Sequence, residues 1–432
     1  MYVANLKISG VRGFSGPREV DLDFARPDDT YAGWTVLAGR NGTGKTTLLQ
    51  AIGLAMAGSW LMPGADVEAW ADSPPDDQAR AVSVTVLPEG PFDELDLFTN
   101  QRESLTMTTR WGPDGGVRWE DDNQASGPVG GHANRGWLCI GYGPFRRLSG
   151  GPSNRRNHPR RGRYDIGMST LFDEDAALTE GVSWLVEQHL LRLEEKPGAE
   201  VLLENVLTLL ADGLLPDDHQ ICRVDSDGLW VRRRDEEFPL RRMSDGYRAV
   251  TALVLDIVRQ MHLAYGNLRL DHGDVPALLY PGVVLIDEVD AHLHVSWQQK
   301  IGDWLKTHFP MIQFIVTTHS PYICQSASPG GLIRLPGPDE QDSPGVVSED
   351  LYRRIVYGSG DDAVMTELFG VESPYSPRAD ELREDLGDLE IKVLDGTATP
   401  AEINDYKQLS RELTSSPTAR VREISQTFGS DS

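Results

Sequence analysis

The sequence predicts an α/β fold in which a largely parallel sheet is covered by helices on both faces. Three observations predict it. A short apolar strand, Trp34–Ala38, runs into a glycine-rich stretch, Gly39–Thr46, and then into apolar residues at helical spacing over 48–58. Two further apolar runs, Val283–Ile286 and Gln313–Thr317, read as buried strands. Helical patterns accompany them, at Tyr247–His262 and at Val295–His308, the latter amphipathic.

The remaining elements follow in order. Tyr2–Ser9 reads as a strand and Glu19–Phe24 alternates with period two. Residues 78–135 read as an antiparallel insertion: Ala81–Leu87 is a strand, and Ser104–Trp111 and Val117–Glu120 form a hairpin across Pro113–Gly116. The polar, Gly-rich stretch Asp121–Gly136 reads as a loop, and Trp137–Gly141 returns as a buried strand. Arg146–Arg163 holds seven arginines and no acid, with Gly, Pro, Ser and Asn between them, and reads as a flexible loop. Asp173–Asp212 is helical with a turn at Pro197–Gly198, and Ile221–Val224 and Leu229–Arg233 form a hairpin across Asp227–Gly228. From Ser359 onward there are 7 basic and 16 acidic residues and two expected helices, the second opened by the capping box Thr399-Pro400-Ala401-Glu402. The expected divisions are a core over 1–60 and 220–335, the insertion over 61–145, an Arg-rich loop and helical lobe over 146–219, and an acidic helical extension over 336–432.

Composition limits the function. With 432 residues, 39% apolar and 25% charged, the chain can bury a sizeable core and is not a disordered polymer. Its 41 basic and 66 acidic residues give −25, which excludes a protein that coats nucleic acid with its whole surface. Only 7 of the basic residues are Lys; the arginine excess fits either coding bias or phosphate recognition by guanidinium forks. Cys139, Cys222 and Cys324 lie far apart, supporting neither a disulfide framework nor a zinc site. No apolar run approaches the roughly 20 residues that cross a bilayer, and the first residues lack a signal-peptide core, so a soluble cytoplasmic protein is expected.

Gly39-Arg40-Asn41-Gly42-Thr43-Gly44-Lys45-Thr46 fits G-x-x-x-x-G-K-[ST] at every fixed position. Glycines let consecutive N–H groups wrap an anionic phosphate, and the following helix aims its positive end at the same anion. Lys45 is expected to reach the β- and γ-phosphates of a nucleotide, and the Thr46 hydroxyl to ligate Mg²⁺. The strand Val283–Ile286 ends in Asp287 and Glu288, delivering both to the sheet edge where the loop opens. Asp287 suits the Mg²⁺ shell, and Glu288 suits activation of the attacking water. His319, at the end of the next strand, suits a hydrogen bond to the γ-phosphate. His292 and His294 form H-x-H, read either as metal ligands or as a loop facing a partner subunit.

These motifs resemble the ABC-type ATPases, in the SMC/RecF-like branch that includes OLD- and Septu-type bacterial defence ATPases. The resemblance covers about 1–60 and 137–330. LKISGVRGF and TVLAGRNGTGKTTLL resemble the first strand and Walker A, Met243-Ser244-Asp245-Gly246-Tyr247-Arg248 the signature, LIDEVDAHLH the Walker B and D-loop, and TTHSP the switch histidine. It implies a P-loop NTPase fold with an ABC-type head and a head-to-head homodimer, or higher oligomer, around ATP and Mg²⁺. Thr47 and Arg12 would lie at the nucleotide, with Ser244, Gly246 and His294 contacting the ATP of the other copy. Asp245 and Tyr247 depart from the usual signature, and Tyr265–Gly282 lengthens the gap before Walker B. Gly141–Arg147 occupies roughly the region of the family's Q-loop, which puts Arg146 or Arg147 toward nucleotide or DNA. No nuclease constellation, membrane bundle or long coiled coil is present in the sequence. The resemblance therefore implies an antiphage ATPase that controls a separately encoded nuclease effector. The alternative is a RecF-like repair ATPase that binds duplex DNA through Arg155, Arg156, Arg160 and Arg161; the same strip also reads as a solvated loop or effector-docking patch.

Overall fold

The computed structural model describes residues 1–58, 67–71, 80–92, 104–112, 116–121, 137–144, 163–173, 178, 180–266, 268–371 and 373–413. They fall into two compact units, Met1–Val356 and Tyr357–Ser432.

The first unit opens with β1 (Tyr2–Ser9), β2 (Val20–Asp23), β3 (Gly33–Ala38) and α1 (Lys45–Ala57). Then come β4 (Arg80–Leu87), β5 (Leu105–Trp111), β6 (Val117–Asp121) and β7 (Cys139–Tyr142). A helical stretch follows: α2 (Arg163–Phe172), α3 (Glu180–Leu193) and α4 (Ala199–Ala211). After it come β8 (His219–Asp225), β9 (Gly228–Arg233), β10 (Glu236–Pro239) and α5 (Asp245–Tyr265). The hairpin β11 (Leu270–His272) and β12 (Pro276–Leu278) precedes β13 (Gly282–Ile286), α6 (Val295–Gln298), α7 (Ile301–His308) and β14 (Ile312–Thr318). The unit closes with α8 (Pro321–Gln325), β15 (Leu332–Arg334), β16 (Gly345–Val346) and α9 (Glu349–Val356).

The central sheet has the order β16-β15-β3-β14-β13-β7, parallel except for β16. Its register sets Ala38 beside Thr318, and Ile286 beside Val316. The strand ends that carry the glycine loop, the acid pair and His319 therefore share one edge, where ligands of open α/β sheets bind. Strands β13 and β14 are buried along their whole length, as continuous apolar runs in a parallel sheet demand.

A second sheet, β2-β1-β4-β5-β6, is wholly antiparallel. Helix α1 packs against strands of both sheets and is apolar around nearly its whole circumference, the signature of a helix buried on both sides. Gln313 of β14 is fully buried: its amide oxygen accepts the N–H of Val3 at 2.7 Å, and its amide nitrogen donates to the Val3 carbonyl at 2.8 Å. The side chain thus replaces a peptide group beside the irregularity between Val3 and Asn5, leaving no buried backbone group of Val3 unpaired.

Several expectations need correction. Strands β4–β6 do not stand apart as an insertion; they continue the sheet begun by β1, and β7 joins the central sheet. Helices α3 and α4 pack on α5 and β8, so the lobe expected over 146–219 continues through the β10-β9-β8 sheet. Residues 336–356, expected in the extension, lie in the first unit, because β16 pairs with β15 and the Tyr352 hydroxyl donates to the Ala327 carbonyl at 2.9 Å. The single helix expected over Val295–His308 is two, separated at Gln299 and Lys300, where the Lys300 N–H turns to the Trp297 carbonyl three residues back at 2.9 Å. Helix α2, β10 and the β11–β12 hairpin carry no strong sequence periodicity and are additions to the expected elements. The expected loop 121–136 and the segment 146–163 lie almost entirely outside the described residues.

The second unit holds α10 (Gly360–Val364), α11 (Pro377–Leu394) and α12 (Pro400–Glu412). Both helices expected there form, and the Thr399–Glu402 capping box is reciprocal. Lys392 of α11 pairs with Glu402 of α12 at 2.8 Å.

Candidate functional site

The glycine loop joins the C-terminal end of β3 to the first turn of α1. Gly44, the residue before the helix, has φ +93°, and a Cβ there would meet the Phe14 ring at 2.5 Å; only glycine fits. Lys45 turns back over the loop and donates to the carbonyls of Gly39 and Arg40, both at 2.9 Å. The Thr43 hydroxyl donates to the Arg40 carbonyl at 3.0 Å. Arg18 holds the loop from outside, donating to the Thr43 carbonyl at 3.0 Å and the Gly13 carbonyl at 3.2 Å. Sequence reasoning missed Arg18, because nothing in an isolated arginine after a turn reports a partner 25 residues away.

The acid pair meets the loop directly. The Thr46 hydroxyl donates to Asp287 Oδ2 at 2.8 Å, and the Thr317 hydroxyl donates to Asp287 Oδ1 at 2.5 Å. The Thr317 oxygen in turn accepts the Glu288 N–H at 2.7 Å. One buried threonine therefore orients both acids, and Glu288 is held at φ +44°, a backbone conformation uncommon outside glycine. The local sequence signal for Thr317 is the hydroxyl pair Thr317-Thr318 in an otherwise apolar strand. Asp287 is 2% exposed, and its N–H donates to the Tyr142 carbonyl at 2.7 Å.

The donor chemistry fits Mg²⁺. Thr46 Oγ1 and Asp287 Oδ2 lie 2.8 Å apart, close to the separation of about 3.0 Å between adjacent ligands of an octahedron with bonds of about 2.1 Å. Mg²⁺ takes one or two carboxylates and substrate phosphates rather than an all-protein cage; among the described residues no group of three or more His, Cys, Asp or Glu forms a metal site. The metal reading of His292 and His294 gains no support from this arrangement. His294 caps α6, its Nδ1 accepting the Ser296 N–H at 3.3 Å.

Burial pushes the Lys45 ammonium down to about 8, against the opposing pull of Asp287, Glu288 and Asp290. The folded protein favours neutral Lys45, which disfavours folding below about pH 8, and that penalty fades as pH rises toward the ordinary value of about 10.5. A bound polyphosphate favours the charged form, so binding takes up a proton above pH 8. We expect nucleotide affinity to be flat below about pH 8 and to fall up to about tenfold per pH unit above it, measured by titration calorimetry in buffers of different ionisation enthalpy. Desolvation and then Lys45 hold His319 below the ordinary histidine value, with Asp290 and Asp287 opposing, so at neutral pH it is a neutral imidazole with one N–H.

Arg12 sits beside α1, over the Trp70 ring at 4.1 Å and donating to Gln50 Oε1 at 3.1 Å. Gln50 lies one turn beyond Thr46, so Arg12 is on the helix face that bears Thr46; Thr47 lies in the same first turn. Arg40, Asn41 and Gly42 form the exposed tip of the loop. Ser244 occupies the N-cap of α5, is exposed, and its hydroxyl makes no capping hydrogen bond. Gly246 packs on the segment after Walker B so closely that a Cβ would meet the His292 carbonyl at 2.3 Å. The structure therefore gathers Gly39–Thr46, Asp287, Glu288 and His319 at one edge, and the signature together with the His292–His294 segment. Arg155, Arg156, Arg160 and Arg161 lie outside the described residues.

Comparison with known proteins agrees with this arrangement. A model described as "AAA domain" matches residues 5–67, and one described as "AAA domain, putative AbiEii toxin, Type IV TA system" matches residues 143–325. The first covers the glycine loop, the second the signature, the acid pair and His319. The chain is 26% identical over 324 residues to a Septu protein PtuA of Bacillus mycoides (strain KBAB4), covering 72% of this chain and 37% of that protein. It is 42% identical over 98 residues to the Retron Ec83 probable ATPase of Escherichia coli, covering 23% of this chain and 17% of that protein. The chain thus spans well under half the length of either relative. An Smc head domain with an extended coiled coil, derived from Pyrococcus furiosus, superposes with a TM-score of 0.47 at 15% identity, covering 80% of this chain and 96% of that one. Both halves of the loop-and-acid site are thus matched by AAA-domain models, and the chain is similar in sequence to a Septu protein and to a retron ATPase.

Proposed function

We propose that the protein binds ATP with Mg²⁺ at Gly39–Thr47, closes head-to-head with a second copy, hydrolyses the nucleotide, and through that cycle controls a separately encoded nuclease in antiphage defence. The observation that carries the reading is the direct pairing of Thr46 with Asp287 beside a lysine folded over the glycine loop. In this reading the loop amides and Lys45 hold the phosphates, while Thr46 and Asp287 hold Mg²⁺, which neutralises charge on the phosphate oxygens. Glu288 accepts a proton from the attacking water as the new O–P bond forms and ADP leaves, and His319 donates its N–H to a γ-phosphate oxygen. Ser244, Gly246 and His294 of a second copy complete the anion cage, and a freely rotating Ser244 hydroxyl at the start of a 21-residue helix suits that task.

The similarity to a Septu protein and to a retron ATPase supports the defence role. The expected result is phosphate release by the purified chain in Mg²⁺ without DNA cleavage, and cleavage only when a nuclease from a neighbouring reading frame is co-expressed. DNA cleavage by the pure chain, lost on Lys45→Ala, would contradict the division of labour. Among the described residues no helix is long and apolar enough to cross a membrane.

A further inference from the structure

A buried polar network joins the central sheet to the helix that begins at the signature. Tyr142, the last residue of β7, is 1% exposed, and its hydroxyl donates to Asp256 Oδ2 at 2.9 Å. Asp256 lies in the middle of α5 and is 4% exposed. Its other oxygen accepts from Arg259 at 3.1 Å, and Arg259 donates from its second terminal nitrogen to Glu180, the first residue of α3, at 2.5 Å. Burial raises Asp256 above the ordinary carboxylate value, opposed first by Arg259, and raises Tyr142 well above the ordinary phenol value, so the phenol remains the donor.

Apolar side chains of similar volume would fill this space at no cost in charge burial, since buried ion pairs are commonly no more stabilising than hydrophobic replacements. What the polar groups add is direction. Asp256 ties α5 to β7 through Tyr142, and Arg259, one turn on in the same helix, ties it to α3 through Glu180, so α5 has one rotational setting in which both bonds to its neighbours form. The other end of Tyr142 touches the phosphate site: its carbonyl accepts the N–H of Asp287, whose carboxylate takes the Thr46 hydroxyl. Ser244 lies twelve residues before Asp256 on the same continuous helix, about 18 Å along its axis.

We propose that Tyr142 is a positioning residue: it fixes the Ser244-bearing helix to the Asp287 edge of the phosphate site, so that the state of one chain's nucleotide sets the geometry its Ser244 offers to a second copy. This rests on the ATP reading above. The mutation Tyr142→Phe removes one hydroxyl and keeps the ring in its packing.

The test measures ATP affinity, ATP-dependent self-association and steady-state hydrolysis on the full chain, with thermal melting to follow folding. Tyr142→Phe is expected to leave the Kd for ATP within about threefold while lowering kcat and the ATP-dependent association about tenfold or more, a split that general destabilisation does not produce. Glu180→Gln, at the half-exposed end of the network, is expected to lower kcat two- to threefold with unchanged Kd. The double variant should resemble Tyr142→Phe alone, because both act through Asp256 and Arg259. Wild-type kcat and association in Tyr142→Phe, or loss of ATP affinity in proportion to kcat, overturns the proposal while leaving the ATP reading intact. A wild-type chain that neither binds nor hydrolyses ATP overturns both.

Discussion

Lys45→Ala is expected to raise the dissociation constant for ATP at least about a hundredfold and to bring hydrolysis to background. The magnitude follows from the bonds available. A charged hydrogen bond to phosphate contributes about 1.5–3 kcal/mol, and a lysine over a phosphate loop makes more than one. In the free protein the ammonium is held by the Gly39 and Arg40 carbonyls, so ATP inherits a donor already aimed across the loop rather than one recruited from solvent. The fold should survive the change. Lys45 is at the edge of the core, and the loop retains the Thr43–Arg40 and Arg18–Thr43 bonds. Calorimetric titration checks the affinity and a melting curve checks the fold; near wild-type affinity in the variant would mean that the loop is not a phosphate site.

Glu288→Gln is expected to reduce kcat about 10²- to 10⁴-fold, the range for loss of a positioned general base, while ATP binding is retained or tightened. Glutamine keeps the length and the oxygen but cannot take the proton of the attacking water. The Glu288 N–H remains with Thr317, so the neighbouring carboxylate stays where it is. Blocked hydrolysis should trap the closed state, so size-exclusion chromatography with ATP and Mg²⁺ should show a species of twice the mass that the wild-type chain forms only transiently. Wild-type turnover in the variant would remove Glu288 from the chemistry.

The parts of this site legible in the sequence share a physical property: their chemistry depends on local spacing. Gly44 needs a left-handed backbone one residue before a helix, and Asp287 follows a run of four apolar residues, so both can be read from a few neighbours. The central strands were legible for the same reason, since Val283–Ile286 and Gln313–Thr317 are too apolar and too short to be anything but buried strands. The illegible parts depend on contacts across long separations. Arg18 reaches Thr43, Thr317 reaches Asp287, and Gln313 reaches Val3 across 310 residues, and no local pattern reports such partners. The antiparallel strands can be placed from local composition and turns, yet their membership in the sheet of β1 depends on pairing register, which local pattern alone does not supply. The break at Lys300 is not legible in the sequence because the apolar period continues through it.

Ser244 stands between these cases. Its place at a helix start is a local signal, and its unengaged, exposed hydroxyl emerges only from the folded chain. An ordinary N-cap serine would spend that hydroxyl on its own helix. Here the first turn carries Asp245 paired with Arg248 instead, leaving the Ser244 oxygen available to an external anion.

The central claim, that a triphosphate held by residues 39–46 of one copy is closed over by Ser244 of another, is tested most directly by a crystal structure of the Glu288→Gln variant grown with ATP and Mg²⁺. The account predicts two copies related by a twofold axis, each with its phosphates on the loop amides and Lys45, and with the γ-phosphate about 3 Å from the Ser244 hydroxyl of the other copy. An empty loop, or two copies meeting through a surface that leaves Ser244 far from any phosphate, would contradict it.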